Sequence, residues 1–221
     1  MYSAVVTLGP RLLDGALTTI GITLLTAPLA FVLALIAGLA RLSHVRLVSA
    51  TAAVFVEVFR GTSLLVQLFF MFYVLPFVGI ELSPWTTGVC TLALNFGAYG
   101  SEIVRGALLG VPRGQIEAAL VLNMSPFPIL RRIVLPQAIA LMLPPFGNQL
   151  IELLKATSLL SLITISDLTF VGNGIALTSG KVTTVFIVLL LIYFAIAYTM
   201  TLGVRFLERS YGAARYGSVS R

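Results

Sequence analysis

A chain of 221 residues that is 58% hydrophobic and only 10% charged, with a mean hydropathy of +1.04, departs from a water-soluble domain, which carries about 25% charged residues. The net charge of +6 comes from bases spread over several loops without an interleaved stacking surface, so it implies no nucleic-acid partner. Length is better counted in bilayer crossings of about 20 residues, and residues 1–221 read as a single all-α integral membrane domain.

An unpaired charge in hydrocarbon costs about 2.5 to 3.5 kcal/mol even on favourable scales, so runs free of Asp, Glu, Lys and Arg mark the spans. The first run, Gly15 to Ala40, follows no strongly basic segment and is too long for a cleaved leader, so it is expected to stay as an anchor. Gly61 to Ile80 and Leu82 to Ser101 are the second and third; the only cysteine, Cys90, lies in the third and is expected to serve packing. Ile133 to Ile151 is the fourth and Val182 to Val204 the fifth. At about 1.5 Å per residue, 19 residues reach roughly 28 Å, enough to cross. Between the last two, Ala156 to Gly180 is interrupted by Asp167, Gly172, Gly174 and Gly180. It predicts a shorter helix plus a loop at the outer face, with a sixth crossing as the alternative.

Basic residues orient the bundle, because Lys and Arg near span ends are retained in the cytoplasm. Arg41, Arg46 and Arg60 lie between the first and second spans, Arg105, Arg113, Arg131 and Arg132 between the third and fourth, and Arg205, Arg209, Arg215 and Arg221 after the fifth. Only Arg11 and Lys181 fall on the other side. The N-terminus is therefore expected outside, the C-terminus inside, and residues 112–136 in the cytoplasm. Within that loop Pro112 suits a helix start, and Gln115 to Leu122 are mostly good helix formers. Asn123 suits a left-handed turn, and Ser125 followed by Pro126 suits the cap and first position of a second short helix.

The loop sequence EAALVLNMSPFPILRRIVLP, Glu117 to Pro136, fits E-A-A, three residues, a turn residue, nine residues, I, one residue, L-P. It resembles the coupling loop of ATP-binding-cassette importer permeases of the type I fold, with Asn123 where the family usually has glycine. The resemblance covers nearly the whole chain and narrows to the polar amino-acid branch. Leu13, Gly15 and Thr19 match L-x-G-x-x-x-T; Glu57 to Gln67 resembles E-x-x-R-G-T-P-x-x-V-Q, with Ser63 in place of proline. Ala98, Tyr99, Glu102, Arg105 and Gly106 resemble A-Y-x-x-E-x-x-R-G, and Lys155 to Leu159 matches K-x-T-S-L. With Ser63, Asn123 and the stretch from Ile151 to Thr169, the chain looks closest to permeases for ectoine and hydroxyectoine.

The resemblance implies a hairpin that docks on a separate ATPase: Glu117 offers charge, Ala118 and Ala119 close approach, Asn123 the turn, and Met124, Phe127 and Leu130 apolar contact. It also implies a second permease subunit, identical or homologous, two ATP-binding subunits that use ATP and Mg, an extracytoplasmic solute-binding protein, and a place in the bacterial inner membrane. No cofactor is expected on this chain. No Walker A loop is present, since Gly174 to Lys181 has the wrong spacing and Val182 where Ser or Thr is required, so the driving energy must come from a partner.

Three acids stand three residues before a base: Glu57 and Arg60, Glu102 and Arg105, Glu152 and Lys155. Such residues share a helix face and are expected to pair structurally. A zwitterionic solute needs an acceptor, a donor and shelter from water. Asn95, Tyr99, Asn148, Glu152 and Ser158 are candidate pathway residues, with close helix packing as the alternative role for the amides and glycines around them. No catalytic or metal site emerges: His44 lies between Arg41 and Arg46, without nearby ligands or a nucleophile. The competing class is a transporter or channel driven by an ion gradient.

Overall fold

The structure is a computed structural model that describes residues 2–216, with side chains described over 9–210, and no strand occurs among them. The first helix, α1 (Tyr2–Arg41), carries the first apolar run and ends at Arg41. α2 (Arg46–Gly61) and α3 (Leu64–Phe69) follow, the latter continued by a π turn over Phe70–Val74 and a 3-10 turn over Leu75–Val78. This changes the second predicted crossing. In place of one helix over Gly61 to Ile80, two helical pieces, Arg46–Gly61 and Leu64–Val78, meet at 103°. Thr62 and Ser63 between them are extended. Side-chain donors take the carbonyls that a continuing helix would use: the Thr62 hydroxyl donates to Val58 O at 2.7 Å and the Gln67 amide to Phe59 O at 2.8 Å.

α4 (Pro84–Leu109) is capped by Ser83, whose hydroxyl accepts from the Thr86 N–H at 3.1 Å. It is the central helix, buried at positions from Thr87 to Ala107. Its approach to α1 depends on small residues. A Cβ at Gly97 would lie 2.7 Å from Leu33 Cβ, and one at Gly38 would lie 2.8 Å from Ser101 O, so larger residues would separate the helices.

α5 (Arg113–Val121) and α6 (Pro126–Ile129) form the hairpin; a π turn over Leu130–Val134 runs from α6 into α7 (Leu135–Ala156). The second short helix expected after Ser125 is thus the first turn of a continuous span, Pro126–Ile163. After a 3-10 stretch, Thr157–Ile163, comes α8 (Leu168–Ser179), whose 12 residues reach only about 18 Å and fall short of a crossing. α9 (Val182–Tyr216) closes the chain. Gly9–Arg41, Pro126–Ile163 and Val182–Ser210 are long and apolar enough to cross, and the bent pair makes a fourth candidate. α4 is not among them, because its Thr, Asn, Gly and Tyr residues with Glu102 and Arg105 leave it less apolar, although much of it packs against neighbouring helices. Three apolar clusters hold the fold: one under the α2–α3 bend, one joining the hairpin to α1 and α4, and one joining α1, α8 and α9.

Candidate coupling hairpin and translocation pathway

The hairpin is closed by its own backbone. Asn123 adopts φ 58°, its N–H donates to Leu120 O at 2.9 Å, and the Met124 N–H donates to Ala119 O at 3.1 Å. This is a Schellman closure, in which the left-handed residue follows the helix and the next N–H reaches back five residues. An amide side chain tolerates that conformation better than most residues other than glycine. Ser125 holds the cap position of α6 without a side-chain cap bond.

The same geometry sorts the candidate residues. Ala119 is buried, and Met124 packs with it against Val111, Ile129 and Val134. Ala119 thus faces the bundle, and the half-buried Met124 packs beside it while keeping part of its surface outward. Glu117, Ala118, Asn123, Phe127 and Leu130 face outward. Beside them Val121 is 86% and Leu122 75% exposed, which makes an apolar apex that the motif pattern did not single out.

Deeper in the bundle, a polar network spans the α2–α3 bend. The Asn95 amide on α4 donates to Phe59 O at 3.1 Å and to Gln67 Oε1 at 3.0 Å, while Gln67 also donates to the Thr62 hydroxyl at 2.7 Å. The Tyr99 hydroxyl donates to Arg60 O at 3.4 Å, and the Arg60 guanidinium lies 5.4 Å from the Tyr99 ring centroid, within cation–π range. Asn95 and Tyr99 therefore meet at one place. Asn148 and Glu152 occupy another, on an exposed face of α7, and the Ser158 hydroxyl donates to Lys155 O at 2.8 Å just beyond it.

One of the three expected ion pairs forms. Glu102 accepts from Arg105 Nε at 2.9 Å, and also from Arg41 and, at 3.1 Å, from Arg60. Arg60 thus turns away from Glu57 to a carboxylate on another helix, and no ion pair joins Glu57 to Arg60 or Glu152 to Lys155 among the described residues. Three guanidiniums on one carboxylate tie the ends of α1 and α2 to α4.

A second polar junction, which the sequence reading missed, sits at the start of α8. Asp167 is fully buried and caps α8, with Oδ1 accepting from the Phe170 N–H at 2.8 Å. The Leu168 N–H donates to the Thr19 hydroxyl at 3.2 Å, and a Cβ on Gly15 would lie 3.0 Å from Leu168 Cα. The glycine and threonine of the opening motif thus receive the α8 backbone. Tyr193 on α9 donates to Asp167 Oδ2 at 3.5 Å and lies 2.8 Å from the Thr169 hydroxyl. Burial pushes the Asp167 carboxyl up to about 6, against the lowering effect of the Phe170 and Thr169 N–H groups. The available signal was a lone Asp just before an apolar run, a capping pattern.

A bundle of long apolar helices with a bent pair, a sheltered polar network and an exposed hairpin is the architecture to compare with known proteins. Residues 30–212 match the family model described as binding-protein-dependent transport system inner membrane component. A probable amino-acid ABC transporter permease protein of Sinorhizobium fredii is 45% identical, over 92% of this chain and 87% of that protein. The L-cystine transport system permease protein of Bacillus subtilis is 39% identical, over 90% of this chain and 86% of its own length. A crystal structure of an amino acid ABC transporter with histidines superposes with a TM-score of 0.90 at 31% identity, covering 95% of this chain and 98% of its counterpart. The chain belongs to the family of binding-protein-dependent transport system inner membrane components, within its amino-acid ABC transporter permeases. It is a permease subunit and not an enzyme, ATP hydrolysis being the work of a separate subunit.

Proposed function

We propose that this chain forms the solute pathway of an ATP-driven importer in the bacterial inner membrane, crossing five times with the N-terminus outside and the C-terminus inside. Its solute is a polar amino acid or an amino-acid-derived compatible solute, with ectoine and hydroxyectoine favoured by the sequence resemblance. A second permease completes the pathway. Two ATPase subunits hold ATP and Mg, and an extracytoplasmic binding protein delivers the solute. The α5–α6 hairpin couples ATPase closure to the bundle, which alternates between inward and outward access.

One observation carries this reading: the hairpin presents Val121, Leu122 and Phe127 outward, the last 68% exposed, on a segment continuous with the span Pro126–Ile163. An apolar apex next to Glu117 suits a groove on a partner protein, and α7 gives displacement of the hairpin a direct route into the bundle. The exposed Asn148 and Glu152 on that span need a partner chain or a water-filled path beside them, since bare hydrocarbon disfavours both.

The test is reconstitution with the ATPase and binding protein, measuring uptake of ectoine, glutamate, glutamine, arginine and histidine. The double change Glu117→Ala with Ala118→Glu is expected to leave the chain inserted while uptake per ATP hydrolysed falls. Unchanged uptake by that variant, or uphill transport by the permease alone on a proton or sodium gradient, overturns the proposal.

A further inference from the structure

Gln137 joins α5 to the base of α7 at a turn where the helix ladder is widened. Its Nε2 donates to Gln115 Oε1 on α5 and, at 2.9 Å, to the carbonyl of Ile133 inside the π turn. The wide turn itself follows from Pro136. A proline at the second position of α7 has no N–H, and its ring would collide with the carbonyl of Arg132 four residues back. Opening the helix one turn earlier relieves that collision, and the Leu135 N–H bonds five residues back to Leu130 O. A helix opened in this way loses regular ladder bonds just where a push from the hairpin would enter α7. The Gln137 amide ties that turn from its own helix and from α5 at once. Among the described residues, its bond to Gln115 is the one side-chain hydrogen bond that leaves α5. Ile116 and Ala119 of α5 pack in the same apolar cluster as Val134 and Ala138, so the two elements already abut.

We propose that the Gln115–Gln137 amide pair is a positioning link that makes α5 and the base of α7 move as one piece across the π turn. Displacement of the hairpin then reaches the pathway helix undiminished. The proposal rests on the coupling reading above and assigns no contact with the solute.

The experiment uses the complete reconstituted transporter, with uptake of the five solutes and ATP hydrolysis read in the same vesicles. Gln137→Leu is expected to raise ATP hydrolysed per solute imported about fivefold, the scale set by losing one neutral hydrogen bond. Gln115→Leu, which leaves the Gln137 bond to Ile133 in place, raises the ratio in the same direction by no more than this, and the double variant is no worse than Gln137→Leu, because both changes remove one shared link. Gln115→Glu combined with Gln137→Lys restores the ratio to within about twofold by replacing the amide bond with a charge-assisted one. A merely structural role would instead lower assembly with the ATPase and leave the ratio alone. An unchanged ratio in either single variant, multiplying effects in the double, or no rescue by the charged pair overturns the link. The Glu117→Ala, Ala118→Glu variant separates the two readings. If it raises the ratio and Gln137→Leu does not, only the link fails; if it changes nothing, the coupling reading fails as well.

Discussion

The α5–α6 hairpin and the junction before α8 each turn the chain on a left-handed residue that is not glycine, Asn123 at φ 58° and Thr164 at φ 67°. Their surroundings are opposite. At the hairpin the turn is satisfied by its own backbone, and the side chains beyond it, Val121, Leu122 and Phe127, are left exposed. At the junction the turn leads into a buried carboxylate, Asp167, held by groups from α8 and α9, while Thr19 of α1 takes the neighbouring Leu168 N–H. The hairpin closes its turn locally and offers a surface. The junction is a long-range assembly that offers none. A handle must keep its shape when grasped, whereas a joint between helices gains strength by closing on itself.

The largest expected effect tests the buried half. Because the folded-state value of Asp167, about 6, lies above the ordinary 3.8, the folded chain binds more protons than the unfolded chain between these values. Stability is therefore highest at the acid end of that window and falls as pH rises through it, by about 3 kcal/mol in total. Asp167→Asn keeps an N-capping oxygen and removes the ionisation. Thermal unfolding in detergent at acid and neutral pH is expected to show the variant gaining on the parent as pH rises. Parallel pH dependences for the two proteins would refute the burial argument.

The same junction supplies the next effect. A Cβ on Gly15 would meet the Leu168 Cα at 3.0 Å, Asp167 O at 3.1 Å and Leu168 N at 3.2 Å, all backbone atoms. Gly15→Val is expected to cost about 2 kcal/mol by forcing α1 away from α8, measured as a lower unfolding temperature at constant pH. The equivalent crowding is absent at Gly114 in the first turn of α5, where a Cβ would meet nothing within 4 Å. Gly114→Val should therefore show no steric loss, and similar losses at both sites would erase the contrast.

On the hairpin side, Val121→Ser with Leu122→Ser should leave unfolding unchanged and reduce uptake about tenfold, the scale of removing apolar anchors from an interface. Uptake in the reconstituted transporter and co-purification of the ATPase are the measurements. Loss of stability without loss of uptake would mean that the apex is part of the fold and not a docking surface.

What could be read in advance divides along the same line. Glu117 to Pro136 was legible because its determinants lie within 20 residues: helix formers, a residue suited to φ > 0, and a Ser-Pro start. Even there, the inward side of Ala119 was missed, because a consecutive pair such as Ala118 and Ala119 is rotated by about 100° on a helix and cannot share one face. Spans free of charge located α1, α7 and α9, but not the 103° bend, which depends on Thr62 and Gln67 capturing carbonyls of α2. Helical spacing suggested the pairing of Glu57 with Arg60, yet Arg60 reaches Glu102, a carboxylate 42 positions away. The Asp167 junction depends on Thr19, 149 positions from Leu168 in the chain, a distance at which a single sequence carries no pairing signal.

The smallest effects come from the two turns themselves. A β-branched residue at positive φ is more strained than an asparagine there, because the second γ atom adds to the clash while an amide side chain can bond locally. Thr164→Gly is expected to stabilise the chain by up to about 1 kcal/mol, and Asn123→Gly by a few tenths, the gain being limited by the extra freedom glycine brings to the unfolded chain. Both residues are exposed, so neither change removes a buried contact. Unfolding temperatures of the two variants measured side by side decide the order. If Asn123→Gly stabilised more than Thr164→Gly, the hairpin turn would be the strained one, and the view of it as a self-satisfied local shape would have to be abandoned.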